Sequence, residues 1–313
     1  MTHGVLAIDI GGTSTTTAYI GPDHEVHARR SAATPATDGA EAVLTTAMRL
    51  LSRTHSQAVD EGHADPVSLG IGTAGVVDPA GRTITHATSA LAGWAGTPLA
   101  ERAEQHTGLP TTVLGDVQAF LRGETAPPGA AAGCASAIGV MAGTGIGGAV
   151  FADGAVLRGA HGAAGHIGHI AVPQAAGLTC PCGAPDHVEA IASGPAMTAA
   201  LAAERPGTPV TTLRDVAALA HAGDHRAQEI LSRGGEALGT ALAGLVSTID
   251  PDCVVIAGGV MHSGPWYLRG LKQALIRHSL PALAHVDVHP SLLGADAVLI
   301  GAAMAARCIP GPA

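Results

Sequence analysis

The stretch VLAIDIGGTSTTTAYI, residues 5–20, decides the fold class of this chain. It begins with an apolar run that favours a buried strand, turns through Gly11 and Gly12, and continues into a second run rich in β-branched residues. A third run, VHARRSAA (26–33), predicts another strand. Dinucleotide-binding and P-loop folds pass from the glycine turn directly into a helix, and no Gly-Lys-Ser/Thr triplet follows this turn. The opening therefore predicts a strand meander and argues against both of those folds.

The remaining sequence alternates strand-like and helix-like segments, which predicts an α/β protein. A helix is predicted from about Asp38, because Val43, Ala47 and Leu50 recur at helical spacing. Strands are predicted within 67–75, 111–116, 137–151 and 253–259, and further helices within 98–107, 117–124, 238–249 and 267–278. The segment APPGAAAG (126–133) predicts a loop, with a short linker between lobes as the alternative.

Composition limits the classes of function. The chain has 313 residues and a net charge of −9, so it lacks a basic field for binding nucleic acid or an anionic membrane surface. No apolar stretch reaches the roughly 20 residues of a membrane span, and the start does not resemble a signal peptide, which predicts a cytoplasmic protein. Five cysteines do not suggest a disulfide framework. With 43 glycines and only 2% aromatic residues, we expect a core of small aliphatic side chains and close backbone approaches.

Three glycine clusters follow strand-like runs: DIGGT (9–13), GTGIGG (143–148) and AGGV (257–260). Glycine lets a ligand approach main-chain N–H groups, which can bind phosphate oxygens without a lysine. Each cluster is also compatible with a plain hairpin turn. Asp116 follows the apolar run TTVL, so its carboxylate is placed either as a general base at a strand end or as a helix N-cap.

Segments along nearly the whole chain resemble the motifs of the ROK sugar kinases of the actin/hexokinase superfamily. These segments are DIGGTSTTTAYI (9–20), GIGTAGVVDPAG (70–81), VLGDVQAFLRGE (113–124), MAGTGIGGAV (141–150), GHIGHI (165–170), CPCGAPDHVEAIASG (180–194), IDPDCVVIAGGV (249–260) and LLGADAVLIGAA (292–303). The resemblance implies two α/β lobes of ribonuclease-H-like topology, with MgATP and a sugar in the cleft between them. We place the first lobe at 1–115 plus 296–313 and the second at 116–295. The resemblance to the ROK kinases also implies a homodimer or a homotetramer.

The resemblance assigns roles to particular residues. Asp116 corresponds to the catalytic base, and Asp9 is expected near Mg²⁺, either directly or through water. Phosphate contacts are expected from Gly11, Gly12, Thr13, Gly143, Thr144 and Gly145, and adenosine contacts from Gly258 and Gly259. Sugar contacts are expected from Gly75, His166, His169 and Glu189.

The cysteine-rich stretch resembles the zinc signature of the same family. His169, Cys180 and Cys182 match its ligands, and His187 stands where the family has a third cysteine. Because Zn²⁺ accepts imidazole nitrogen as well as thiolate sulfur, we expect a closed, structural Zn²⁺ site. His166 stands where the family usually has glutamate, and it is expected to contact the substrate, to act as a fifth zinc donor, or to be a satisfied polar group.

Two further positions depart from the family pattern. The asparagine that usually precedes the catalytic aspartate is Gly115, and the asparagine before the Gly-Trp pair is Ala90. A site that pairs sugar hydroxyls loses affinity when a partner is missing. We therefore expect a kinase acting on the 6-OH of a modified hexose, such as an amino sugar like kanosamine, or on glucose bound differently. The alternative is a catalytically weak sugar or nucleotide sensor. ROK repressors, a related class, carry a DNA-binding module ahead of the first phosphate strand, whereas this sequence starts at that strand, so we do not expect a DNA-binding regulator.

Overall fold

The computed structural model describes residues 3–88, 90–207 and 209–309. The chain divides into two compact units. The first takes the described residues of 1–133, 155–164 and 292–313, and the second takes 134–154 and those of 165–291. No helix in the described ranges combines the length and the apolar character needed to cross a membrane.

Each predicted segment contains a strand or a helix, although the helix predicted within 238–249 begins at His225 and several elements, mostly short, were not predicted. The strands are β1 Val5–Ile10, β2 Ser14–Ile20, β3 Val26–Ala33, β4 Leu69–Thr73, β5 Val76–Val77, β6 Ile84–His86, β7 Thr111–Gly115, β8 Ser136–Ala142, β9 Ile146–Ala152, β10 Ala155–Val156, β11 Cys253–Ala257 and β12 Asp287–Pro290. The α-helices are α1 Ala40–Asp60, α2 Leu99–Thr107, α3 Asp116–Glu124, α4 Glu189–Ala192, α5 Gly194–Ala203, α6 Leu213–His221, α7 His225–Ile249, α8 Pro265–His278 and α9 Ala297–Ala306.

The first unit is built on a five-stranded sheet in the order β3-β2-β1-β4-β7. Strands β1, β2 and β3 form an antiparallel meander, which confirms the prediction from the opening stretch, and β4 and β7 run parallel to β1. Ile10 is paired with Thr73, and Thr73 with Gly115. Because parallel strands end at the same edge of a sheet, Asp9 and Asp116 lie at one edge, two strands apart.

Glycines allow helix α9 to lie directly on this sheet and on α3. A Cβ added at Gly70 would lie 2.0 Å from the carbonyl oxygen of Ala302, and one added at Gly301 would lie 1.8 Å from that of Ala119. The expected close backbone approaches are therefore present. They also attach α3 to the first unit, whose boundary falls after 133, whereas the sequence placed the lobe boundary at 115/116.

The second unit contains a five-stranded sheet in the order β10-β9-β8-β11-β12. Strands β8 and β9 are antiparallel, and β11 is parallel to both β8 and β12. Helices α7 and α8 pack through glycine as well, because a Cβ at Gly235 would lie 1.9 Å from the carbonyl oxygen of Tyr267. Two α/β units, each with a mixed five-stranded sheet, confirm the predicted fold class.

Candidate functional site

The first glycine turn, residues 11–13, connects β1 to β2 in the first unit. The Gly11 amide donates to the carbonyl oxygen of Ser14 (3.0 Å), and the Thr34 amide donates to that of Thr13 (3.0 Å). Within the described residues, the amides of Gly12 and Thr13 make no hydrogen bond. The turn is therefore held from its flanks while two consecutive donors stay available to a ligand.

Two carboxylates occupy the adjacent sheet edge. Burial, and then the nearby charge of Asp116, raise the pKa of Asp9 from 3.8 to about 7, against a lowering by Arg29. Asp116 is half-buried and is the first residue of α3. The N-cap position belongs to Gly115, and the Gly115 amide donates to Oε1 of Gln118 (3.2 Å). Since the capping contact comes from Gln118, the N-cap alternative does not account for Asp116.

Small residues surround these carboxylates. A Cβ added at Gly12 would lie 3.3 Å from the carbonyl oxygen and 3.5 Å from the Cβ of Ala90, so Ala90 lies against the first turn. A Cβ at Gly115 would lie 3.7 Å from the carbonyl oxygen of Gly75, which has a φ of +107°. Of the two positions without the family's asparagine, Ala90 therefore lies beside the first turn and Gly115 directly precedes Asp116.

Sequence reasoning missed two residues that position this edge. Thr73 is buried; its hydroxyl donates to the carbonyl oxygen of Ile10 (3.3 Å) and accepts from Nε1 of Trp94 (3.1 Å). Gln118 fixes the start of α3. The signal for Gln118 was present, because a glutamine three residues after the N-cap is a capping-box pattern. Nothing in the local pattern distinguished Thr73 from other strand threonines.

The second glycine turn, residues 143–145, connects β8 to β9 in the second unit. The Gly143 amide donates to the carbonyl oxygen of Gly145, and the Gly194 amide donates to that of Gly143, both at 2.9 Å. In the described chain, the amides of Thr144 and Gly145 have no acceptor. This turn, like the first, presents two adjacent unpaired donors.

The third glycine turn lies beside the second. Parallel pairing sets Ala257 opposite Met141, so the chain after β11 returns next to the end of β8. Gly258 has a φ of +103°, and a Cβ there would lie 2.2 Å from the carbonyl oxygen of Ala142. A Cβ at Gly143 would be 4.0 Å from the amide nitrogen of Gly259. The residues assigned to phosphate and to adenosine are therefore neighbours.

Glu189 connects the second turn with the histidine and cysteine cluster. Its Oε2 accepts a hydrogen bond from the Ile146 amide (2.7 Å), and its Oε1 lies 4.0 Å from Sγ of Cys180. A Cβ at Gly145 would lie 2.6 Å from the same Oε2. The carboxylate thus touches both features, and only glycine at 145 leaves room for it.

The four residues predicted as metal ligands come together. One ligand atom from each of His169, Cys180, Cys182 and His187 lies within 4.8 Å of all the others. Nδ1 of His169 is 3.7 Å from Sγ of Cys180, and Nδ1 of His187 is 3.3 Å from Sγ of Cys182. A tetrahedron with Zn–N and Zn–S bonds of about 2.0 to 2.3 Å has edges of about 3.3 to 3.8 Å. The donor set suits a zinc ion, and these two distances match the edges of such a tetrahedron.

Burial shifts the pKa values of two of the four ligands in opposite directions. Burial lowers the pKa of His169, which favours the neutral imidazole that binds metals, and burial raises the pKa of Cys180 to about 11 when no metal stabilises its thiolate. His166 is exposed, with its ring centroid 6.1 Å from that of His169, and it is outside the four-atom group.

Similar proteins are found by sequence and by structure. A family model described as "ROK family" matches residues 5–308. N-acetylmannosamine kinase of Shigella flexneri is 34% identical over 304 residues, covering 97% of this chain and 98% of that protein. Glucokinase of Halalkalibacterium halodurans is 30% identical over 309 residues, covering 95% of this chain and 92% of that protein. Among solved structures, a ROK hexokinase from Thermus thermophilus superposes with a TM-score of 0.84 at 30% identity, covering 97% of this chain and 98% of that one. A ROK family glucokinase from Streptomyces griseus in complex with glucose and AMPPNP gives 0.80 at 29%, covering 97% and 99%.

Proposed function

The chain belongs to the ROK family, and from this premise we propose that it is an ATP-dependent kinase that phosphorylates the 6-hydroxyl of an N-acylated amino hexose. The observation that carries the proposal is Asp116, at the end of β7 and within electrostatic reach of Asp9 at the same sheet edge. A sensor would not need this carboxylate, whereas a kinase needs a base there.

In the proposed reaction, Asp116 accepts the proton of the sugar hydroxyl. The freed oxygen forms a bond to the γ-phosphorus of ATP, the bond between that phosphorus and the β,γ-bridging oxygen breaks, and ADP leaves. In such a transfer, most of the rate enhancement comes from positioning the reactants and stabilising charge rather than from covalent catalysis. The Gln118 contact that holds Gly115 fixes the start of α3 and therefore the direction of the Asp116 carboxyl.

The nucleotide is held mainly by main-chain donors in this proposal. The unpaired amides of Gly12, Thr13, Thr144 and Gly145 bind phosphate oxygens, with Gly11 and Gly143 shaping the turns, and Gly258 and Gly259 flank the adenosine. Mg²⁺, when bound, neutralises charge on the phosphates. Asp9 would be the residue that holds it, directly or through water. With a pKa of about 7, Asp9 must lose its proton before it can serve there.

We assign zinc to the cluster of His169, Cys180, Cys182 and His187. Four protein ligands close the coordination shell, so the ion, when bound, stabilises the loop and does not activate water. Because Glu189 follows His187 by two residues, zinc binding would also fix the position of Glu189. A fixed loop keeps Glu189 against the Ile146 amide and available to a sugar hydroxyl. His166, His169 and Gly75 complete the proposed sugar contacts.

For the sugar we propose N-acetylmannosamine ahead of glucose. Curated relatives of that activity are 34% identical over nearly the whole chain, as is the Shigella flexneri protein. Ala90 and Gly115 support the choice, since the family's asparagines there would bond plain hydroxyls. Without them the pocket offers fewer partners to an unmodified hexose and more room for a bulky substituent such as an acetamido group.

A substrate panel tests this function. Purified protein with MgATP is offered N-acetylmannosamine, N-acetylglucosamine, kanosamine and glucose, and ADP release is followed. We expect the highest kcat/KM for N-acetylmannosamine, no turnover in Asp116→Ala, and unchanged turnover in Asp60→Asn, which alters an exposed acid. If calorimetry shows sugar binding but no sugar in the panel leads to ADP release, the protein is a sensor and not a kinase.

A further inference from the structure

A cationic pocket lies between β3 and α1 of the first unit. Its volume is about 330 Å³, at the lower end of the range of about 300 to 1,000 Å³ found for small-molecule sites. The lining residues are Arg30, Ser31, Ala32, Thr46, Arg49, Leu50 and Arg53. Three of these seven side chains are guanidinium groups and none is a carboxylate, in a chain whose net charge is −9.

The charges of the three pocket arginines distinguish them from neighbouring arginines. Within the described residues, Arg30, Arg49 and Arg53 form no ion pair. By contrast, the adjacent Arg29 pairs with Asp296, and Arg102 pairs with Glu41. Arg49 and Arg53 are also four residues apart on α1, a spacing at which like charges weaken a helix. Both α1 arginines are exposed, so an anion from solution can reach them.

Arg30 gives the strongest local indication. Its side chain is half-buried, and its Nε is buried without any hydrogen-bond partner. A buried donor without an acceptor is unfavourable, so native proteins rarely leave one unmatched. Guanidinium groups match the planar pairs of oxygens on phosphate and bind them in bidentate fashion. A phosphate in the pocket would pair with the guanidinium groups of Arg30 and of the α1 arginines.

We propose that the pocket binds the phosphate group of a small phosphate monoester, at a site separate from the first glycine turn. Three guanidinium groups suit a dianion better than a carboxylate, which carries a single charge. A second cavity of about 690 Å³ shares Arg49 and Arg53 and includes Ser52, Gln105 and His106. It offers polar groups and space to the remainder of the molecule.

Calorimetry at constant ionic strength tests the site. Inorganic phosphate and glucose 6-phosphate are titrated into protein saturated with Mg·AMPPNP, so that nucleotide contacts are occupied. The test variant is Arg49→Gln/Arg53→Gln. The matched control is Arg269→Gln, an exposed helical arginine of the second unit that forms no ion pair with any described residue. We expect wild type and control to bind alike, and the double variant to bind about a hundredfold more weakly, about tenfold per guanidinium.

Two results would overturn the site. One is equal phosphate affinity in the wild type and the double variant, and the other is no binding to wild type at all. A tungstate soak of crystals gives an independent readout: an anomalous peak within hydrogen-bond distance of Arg30 and Arg53 supports the site, and peaks at the glycine turns alone refute it. Because both measurements need no turnover, they stand or fall independently of the kinase assignment.

Discussion

Replacing Gly145 by alanine should disturb the proposed sugar contact of Glu189 while it leaves the proposed phosphate contacts in place. The φ of Gly145 is outside the left-handed region, so the backbone accepts alanine and the Gly145 amide stays in place. The added Cβ, however, would lie 2.6 Å from Oε2 of Glu189, where ordinary contact begins at 3.4 Å. The flexible carboxylate has to move, by about 0.8 Å or more.

The structure sets the size of the effect. Oε2 of Glu189 accepts a hydrogen bond from the Ile146 amide at 2.7 Å, and a displacement of this size breaks it. Hydrogen bonds to charged groups contribute about 1.5 to 3 kcal/mol. If Glu189 must hold this position to bind the sugar, kcat/KM for the sugar falls by about 10- to 150-fold, since about 1.4 kcal/mol corresponds to a factor of ten.

Steady-state kinetics with each substrate varied in turn provide the assay. The KM for ATP should change by less than about threefold, because no phosphate donor is removed. Gly244→Ala is the matched control: this glycine of α7 has open space around its Cβ position. It should leave both KM values unchanged and raise the free energy of unfolding by up to about 1 kcal/mol through helix propensity.

A double-mutant cycle gives the decisive result. If alanine at 145 acts through Glu189, then Gly145→Ala/Glu189→Ala should be no less active than Glu189→Ala alone. Additive losses in the double variant, or a rise of the ATP KM as large as that of the sugar, would refute the assignment of Glu189 to the sugar.

Three further substitutions test the other parts of the site. Asp116→Asn should lower kcat by about 10²- to 10⁴-fold while calorimetry shows nucleotide binding retained; an active variant would rule out Asp116 as the base. Metal analysis should give about one zinc per chain for wild type and for His187→Cys, and much less for His187→Ala; equal zinc in all three would remove His187 from the ligands. Asp9 has a pKa of about 7 in the fold against its ordinary 3.8. Between these two pKa values the native chain keeps a proton that the unfolded chain has lost. The free energy of unfolding therefore falls as the pH rises from 3.8 to about 7. Urea unfolding at pH 5 and pH 8 should show this loss in wild type and a smaller one in Asp9→Asn, and parallel behaviour would contradict the shift.

The sequence predicted the architecture because the decisive signals are local. The apolar and β-branched runs in residues 5–20 predict strands on both sides of a glycine turn, and the meander of β1 to β3 follows from short connections. The convergence of His169, Cys180, Cys182 and His187 was also predictable, because these four residues match the zinc signature that the sequence resembles. Their ligand atoms converge within 4.8 Å as that pattern requires.

The sequence could not show which surfaces meet over long separations. That α3 packs on α9 depends on Gly123 and Gly301, more than 170 residues apart, and this packing sets the unit boundary after 133. The contact between Glu189 and the Ile146 amide spans 43 residues. Neither helix propensity nor motif spacing contains such pairings, which depend on the assembled tertiary structure.

Two kinds of close contact occur at glycines of this chain, and the distinction between them explains why Gly145→Ala should fold. A Cβ at Gly70 or Gly301 would meet a backbone carbonyl oxygen at 2.0 Å or less, and backbone cannot rotate away, so helix and sheet would have to separate. At Gly145 the obstacle is the end of a flexible side chain, which can move at the expense of one hydrogen bond. Packing glycines therefore determine stability, whereas the glycine at the second turn determines where a carboxylate points. Because aromatic residues make up only 2% of the chain, its cores depend on the first kind of contact to bring backbones close enough to exclude water.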